Sequence, residues 1–180
     1  MYSMVQAGSM GLPFISVRGL LGSDILKYRV DLQVIENPFI PGEEVVIAKP
    51  IRPDISILHG LKADCLGNTV TPGLRDDLMI ARASKLVIVT VEEISDQELT
   101  PRDAGDETFL PAMDVDGVVC LPFGAHPCAC GSRYSIDEAH LKEYLEASEE
   151  EKTFRSYLEK YVHSVSKHEE YLKQVGMTIG

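Results

Sequence analysis

The sequence predicts an α/β fold, an open and mostly parallel sheet with a C-terminal helical segment, on three observations. Leu86-Val87-Ile88-Val89-Thr90-Val91 is a continuous, largely β-branched run of the kind found in strands covered on both faces. It is preceded by a strand-like Ile55-Ser56-Ile57-Leu58-His59 and by Asp76–Ser84, where Leu78, Met79 and Arg82 recur at helical spacing. Strand, helix and strand in that order imply a right-handed parallel crossover. Beyond residue 135, strand-like runs give way to helical periodicity.

Met1 to Arg18 is rich in Gly, Ser and Met, and Gly8, Gly11 and Pro13 predict a loop leading into Phe14-Ile15-Ser16-Val17. Ile35–Pro41, with Asn37-Pro38 followed by Pro41-Gly42, carries strong turn signals, and Glu44-Val45-Val46-Ile47-Ala48 reads as a short strand. After Val91 the acidic stretch Ser95–Glu107 reads as a loop, and Gly117-Val118-Val119-Cys120-Leu121 as one more buried strand. Three Ser-x-x-Glu patterns, Ser135–Glu138, Ser148–Glu151 and Ser166–Glu169, predict capping boxes that open three short helices. In the second, Phe154, Tyr157, Leu158, Tyr161 and Val162 share one face, and Gly176 is placed to stop the third. There is no internal repeat.

With 180 residues, 44% hydrophobic and 25% charged, the chain has enough apolar material for one ordinary core. Residues 1–180 read as a single domain, with the helices of 135–176 packed on it. No run approaches the roughly 18–20 apolar residues that cross a bilayer, and no basic flank precedes an apolar stretch at the start, so a soluble protein is expected. Cys65, Cys120, Cys128 and Cys130 include no CxxC pair, which favours a reducing cytoplasm. The net charge of −11 argues against nucleic acid as a partner. Residues 1–102 carry −3 and residues 103–180 carry −8, so an anionic ligand belongs with the first part or with a partner chain.

The search for a self-contained active site returns little: no GxSxG elbow, P-loop, GxGxxG after a strand or HExxH is present. His126, Cys128 and Cys130 form an H-x-C-x-C cluster of soft donors, but zinc sites pair their ligands at CxxC-like spacing and a fourth ligand would have to be distant. Tight-turn residues with inert thiols are the better reading, and no metal is assigned. Glu92-Glu93 follows a buried strand, where α/β proteins place functional groups. A carboxylate there is a candidate nucleophile or base; a solvated strand end or an interface ion pair is the simpler alternative.

Four segments together resemble one family. Gly11-Leu12-Pro13-Phe14 with Val17-Arg18-Gly19-Leu20-Leu21-Gly22-Ser23-Asp24 is similar to the central loop of the A-type subunit of glutaconate-type (family I) CoA-transferases, and Asn37-Pro38-Phe39 with Gly42-Glu43 to its Pro-Phe-x-x-Gly-Glu element. Arg52-Pro53-Asp54, Ala63-Asp64-x-x-Gly67-Asn68 and Val87 to Ile94 resemble its strand-to-loop signature. Val115-Asp116-Gly117-Val118-Val119, Gly124-Ala125-His126-Pro127 and Tyr134 resemble the end of its sheet. Their order and spacing over nearly the whole chain make the match specific.

The resemblance implies a CoA-transferase-type sheet, a partner of the family's B type in a heterodimer or a dimer of heterodimers, and acyl-CoA and a carboxylic acid as substrates, with no permanently bound cofactor. It implies a covalent route through a glutamyl-CoA thioester whose glutamate lies on that B-type partner. This chain then holds no catalytic residue and is inactive alone, and Glu92-Glu93 falls on a structural motif. Gly8, Ser9, Gly11 and Pro13 of the glycine-rich loop, with Arg18 and Asn68, become the candidate substrate and CoA contacts: glycine allows close backbone approach, and Arg18 suits a carboxylate. For Gly11 and Pro13 a tight turn is the alternative, for Arg18 a salt bridge, for Asn68 a turn. The chain begins at what would be an internal position of the A-type fold, so an open sheet edge and poor behaviour without a partner are expected. Ring-opening CoA-ester hydrolases of steroid breakdown share the scaffold, and a hydrolase component or a non-catalytic acyl-CoA- or partner-binding remnant are the competing functions.

Overall fold

A computed structural model describes residues 1–73 and 75–178. Its centre is a five-stranded sheet in the order β7-β5-β4-β6-β8. β4 (Ser56–Asp64), β6 (Val87–Ser95) and β8 (Gly117–Cys120) are parallel, with Ser56 opposite Val87 and Ile88 opposite Gly117. β5 (Thr69–Thr71) and β7 (Thr108–Leu110) extend the sheet antiparallel on the β4 side. The expected crossover is present: β4 and β6 pair in parallel, and α2 (Asp77–Ala83) lies between them in sequence. The parallel pairing is confined to the three strands that carry the long apolar runs. β5 and β7, three residues each, are too short to show a period in the sequence.

A separate three-stranded antiparallel sheet, β1 (Ile15–Val17), β3 (Glu44–Ala48) and β2 (Leu32–Glu36) in the order β1-β3-β2, precedes it in the chain. Its core is Met4, Leu32, Val46 and Ala48, with Ile15, Val17, Leu20, Leu26 and Ile51 packed against them. The turn after β2 is built as its sequence suggests: the Asn37 Oδ1 accepts from the Phe39 amide at 3.0 Å, and the Glu36 carboxylate from the Gly42 amide.

The segment expected as a loop at the start is helical: α1 covers Tyr2–Ser9. Its punctuating residues end the helix and do not prevent it. Gly11 takes the left-handed conformation (φ +69°), the Leu12 amide reaches back to the Ala7 carbonyl at 2.9 Å, and Pro13 lies beyond. Gly8 stays inside the helix because its missing side chain makes room for another chain segment: a Cβ there would fall 2.0 Å from the Ile51 carbonyl oxygen and 3.4 Å from the Ala83 Cβ. Gly8→Ala is therefore expected to lower stability by roughly 1–3 kcal/mol through overpacking. Ser9→Ala, which removes only a hydroxyl bonded to the Gln6 carbonyl, should stay within about 0.5 kcal/mol in the same thermal-unfolding comparison.

β6 corrects a second expectation. Val87, Val89 and Val91 are buried with Leu58, Ala63, Ala81 and Leu110 on the face that α2 covers. On the other face, only the C-terminal end of the sheet is roofed, by the chain that follows β8. At the N-terminal end Ile57 and Leu86 are exposed, and so is Val119 on the edge strand β8 opposite Thr90, so the continuous apolar run does not mark a strand covered along its length on both sides.

The acidic segment 95–107 contains one helical turn, α3 (Pro101–Ala104), opened by a capping box in which Thr100 and Asp103 satisfy each other's backbone amides. The three C-terminal helices exist, α4 (Glu138–Ser148), α5 (Glu151–Leu158, continued by a π turn over Glu159–His163) and α6 (His168–Gln174), but their caps are not the expected serines. Asp137 caps α4 by accepting from the His140 amide at 2.9 Å, Ser148 is the last residue of α4, and Ser166 pairs with Glu170, one residue past the expected Glu169. Ser and Asp cap about equally well, and the helix starts at Asp137 and not at Ser135 because that is where the preceding loop delivers the chain. Gly176 stops α6 as expected, at φ +74° with the Met177 amide bonded to the Leu172 carbonyl. Of the apolar face expected on the second helix, Tyr161 is buried, but Val162 is 52% exposed.

Candidate functional site

The middle of β4 and β6 places a compact polar cluster under the loop of residues 121–134. Strand alternation sends Val87, Val89 and Val91 toward α2 and turns Thr90 and Glu92 to the opposite face, with His59 of β4 in register with Thr90. The His59 ring lies 2.8 Å from the Thr90 hydroxyl through Nδ1 and 2.6 Å from Glu92 Oε1 through Nε2. Tyr134 donates its hydroxyl to Glu92 Oε1 at 2.8 Å and accepts from the Ala125 amide, while the Phe123 amide donates to Glu92 Oε2 at 2.8 Å. The Glu92 carboxylate thus takes three hydrogen bonds with its side chain 8% exposed.

The loop is shaped to allow this. Phe123 has φ +59°, a conformation rarely occupied by a bulky residue, and holding it there aims its amide at Glu92. Gly124 has no side chain because a Cβ would lie 2.8 Å from the Leu121 carbonyl oxygen and 2.9 Å from His59 Cε1. Burial first, with the neighbouring Glu92 carboxylate reinforcing it, pushes the Tyr134 hydroxyl far above the ordinary phenol range, so it remains a donor. Cys130, 1% exposed, is held above the usual thiol range first by burial and then by the Glu92 charge. Both ring nitrogens of His59 are engaged, by Thr90 and Glu92, so the ring offers the Cys130 thiol no free base of the kind a Cys–His–carboxylate triad uses. Glu93 points the other way, to Arg133 at 2.7 Å on the surface.

A second polar cluster ties the C-terminal helices to this loop. His126, its side chain 1% exposed, meets the Tyr171 hydroxyl of α6 at 2.7 Å and Asp137 at 3.2 Å. His140 of α4 meets the Tyr157 hydroxyl of α5 at 2.7 Å, and His168 of α6 meets the Pro122 carbonyl at 2.6 Å. Burial, and then the nearby His126, lower the His140 pKa; burial raises the Tyr171 hydroxyl to about 12. The H-x-C-x-C cluster anticipated as soft donors is not assembled. His126 faces Tyr171 and Asp137, Cys128 is exposed, and Cys130 belongs with His59 and Glu92.

The other anticipated contacts are spread over the molecule. Gly8 and Ser9 lie in the last turn of α1, and Gly11 stands just after it with open space where a side chain would be. Pro13 lines an open groove of about 270 Å³ with Phe14, Val30, Gln33, Ile47 and Lys49. Arg18 lines a different cavity of about 570 Å³, whose walls include Met4, Val17, Leu20, Ile25 and Leu32. Asn68 is far from both along the chain and is spent on the fold: its Nδ2 donates to Asp64 and its Oδ1 accepts from the Ala112 amide at 2.9 Å. Neither His59 nor Tyr134 stands out as a site residue in the sequence. The signal that identifies His59 is its place in register with Thr90, two residues before Glu92, and that is visible only once β4 and β6 are paired.

Glu92, expected to follow a strand, lies within β6, which continues to Ser95, so the cluster is a mid-sheet anchor for the loop above it and not a carboxyl-edge site. Residues 1–121 match the family model for Coenzyme A transferase, and the chain belongs to that family. It is 34% identical over 193 residues to the A-type subunit of glutaconate CoA-transferase from Acidaminococcus fermentans, a match covering 98% of this chain and 60% of that one. The crystal structure of glutaconate coenzyme A-transferase from the same organism superposes with a TM-score of 0.87 over 97% of this chain and 60% of the other. A solved structure of the decarboxylase AibA/AibB, at 34% identity, gives a TM-score of 0.69 over 86% of this chain and 57% of its own. The IpdA subunit of the cholesterol ring-cleaving hydrolase of Rhodococcus jostii is 29% identical over 88% of this chain and 56% of its own. The chain therefore spans about 60% or less of the length of these relatives. Among the described residues no helix is long and apolar enough to cross a membrane.

Proposed function

We propose that this chain is the A-type half of a CoA-transferase that moves CoA between an acyl-CoA and a carboxylic acid, with the glutamyl-CoA intermediate formed on a B-type partner. The observation that carries this reading is the state of Glu92. A nucleophilic carboxylate needs a free oxygen facing substrate, whereas Glu92 is 8% exposed and both oxygens are bonded within the chain. The glutamate is then the partner's. In the first step its carboxylate attacks the thioester carbonyl and expels CoA thiolate, giving a mixed anhydride. The thiolate attacks the glutamyl carbonyl and releases the donor acid, and the acceptor carboxylate repeats the two steps in reverse.

On this chain Gly11 and Pro13, just beyond α1, supply open backbone beside the substrate, while Gly8 and Ser9, inside the last turn of that helix, act by setting where it ends. Arg18, in a cavity it shares with Ser16 and Arg29, pairs with the substrate carboxylate, and Asn68 acts only by holding the β4–β5 turn. The four free cysteines fit a cytoplasmic setting.

The test is co-expression with a B-type partner, incubation with an acyl-CoA and a free acid, and reduction of any enzyme thioester with borohydride. The expected result is inactivation that depends on acyl-CoA, with the modified glutamate on the partner and none at Glu92, and no transfer by this chain alone. Arg18→Lys, which removes the bidentate fork, should raise the KM for the acid about tenfold or more. Transfer by this chain alone, or modification of Glu92, would overturn the accessory role. Loss of the CoA ester to water with no transfer would replace the transferase with a hydrolase on the same scaffold, the activity named for the ring-cleaving relative.

A further inference from the structure

We propose that His59, Glu92 and Cys130 form a binding site for one divalent cation of the zinc class. The ligand atoms of these three side chains lie within 4.8 Å of one another. Nitrogen, carboxylate oxygen and sulfur are the donors a borderline-soft ion takes, and zinc is held by three such side chains with a fourth position open.

The hydrogen bonds around the cluster orient it for that use. The Thr90 hydroxyl donates to the Leu58 carbonyl at 3.3 Å, so toward His59 it is the acceptor, and it holds the proton on Nδ1. That leaves Nε2 directed at the centre of the cluster, the arrangement in which an outer partner fixes the tautomer of a metal-binding histidine. Facing it is Glu92 Oε1, which already accepts from Tyr134, while Oε2 accepts from the Phe123 amide. Nε2 and Glu92 Oε1 stand 2.6 Å apart, and a divalent cation bound at Nε2, Glu92 and the Cys130 sulfur places its charge between them. A water completes the coordination. Binding releases the Cys130 thiol proton to solvent. Cys130, buried against this pair, has no part in the other reading of the cluster, and the exposed Cys65, Cys120 and Cys128 lie outside it.

The test uses the full chain stripped with a chelator and titrated with cobalt(II), whose thiolate charge-transfer band reports sulfur ligation directly. One equivalent should bind with that band, zinc should displace it, and the band should survive in C65S/C120S/C128S but vanish in C130S. Thr90→Val, which removes only the outer partner, should weaken cobalt binding by about tenfold or more. Failure to bind one equivalent, a band lost in the triple variant but kept in C130S, or unchanged affinity in Thr90→Val would each overturn the site. None of these readouts depends on acyl transfer, so the cation site and the proposed function fail separately.

Discussion

Glu92→Ala is expected to destabilise the protein by roughly 2–4 kcal/mol, since several buried donors lose their acceptor and each group left unsatisfied costs about 1–3 kcal/mol. Truncation to alanine strands the His59 ring, the Tyr134 hydroxyl and the Phe123 amide beneath a loop that excludes water. It also releases the constraint that keeps Phe123 at φ +59°. The loop of residues 121–134 should loosen more than the sheet beneath it, because β6 keeps its ladder to β4 and β8. Denaturant unfolding measures the global cost. With no tryptophan in the chain, near-ultraviolet circular dichroism reports the tyrosines, and Tyr134, its ring 5.1 Å from that of Phe123, should lose its asymmetric environment. Glu92→Gln keeps an acceptor for Phe123 and should cost less. A loss under about 1 kcal/mol in Glu92→Ala would mean that the loop is held elsewhere, by the His126 and Tyr171 contact in particular.

How far the sequence reveals this molecule depends on how local the deciding interaction is. The strand at Glu44–Ala48 and the helix at Asp77–Ala83 appear where their patterns place them, because a strand or helix with one buried face writes its period into a few consecutive residues; Gly117–Cys120 is a strand too, but an edge strand with no buried residue and not the buried strand its apolar run suggests. α1 is hidden because Gly8 and Gly11 speak against a helix on propensity alone, and only the approach of Ile51 explains why glycine is required within one. The misplaced caps have a similar cause: Asp137 and Ser135 both fit a cap, and the choice between them is made by where the preceding loop delivers the chain. The family is legible from motifs in order. The polar cluster is not, since His59, Glu92 and Tyr134 are separated by 33 and 42 residues in the bonds that join them. Of its members only Glu92 draws attention as a strand-end carboxylate, and its burial turns a candidate nucleophile into the anchor of a loop.

Asp64→Asn is expected to cost about 3 kcal/mol at neutral pH, because the carboxylate serves as a charged acceptor for several donors at once and each such bond contributes roughly 1.5–3 kcal/mol. Asp64 is 2% exposed at the end of β4. Its Oδ1 accepts from the Leu66 and Asn68 amides, both at 2.9 Å, and its Oδ2 from Asn68 Nδ2 and the Leu99 amide, both at 2.8 Å. An asparagine at this position keeps the shape but turns an amide toward donors. Burial acts to raise the Asp64 pKa and is the largest single influence, yet the bonds from Leu99, Asn68 and Leu66 together outweigh it and hold the carboxyl below its ordinary value. With the folded value depressed, the contribution is fully present above the unfolded carboxyl's pKa of about 3.9 and is lost as pH falls through the lower folded value. The stability gap between the native chain and Asp64→Asn, measured by denaturant unfolding, should therefore be constant from pH 7 to about 5 and shrink below about 4. A gap that persists unchanged to pH 3 would show that side-chain shape rather than charge holds the turn. The same variant bears on Asn68, whose amide is fixed between Asp64 and the Ala112 backbone. If Asp64→Asn unfolds the β4–β5 turn while leaving substrate affinity in the assembled enzyme intact, Asn68 acts through the fold and not through contact with CoA.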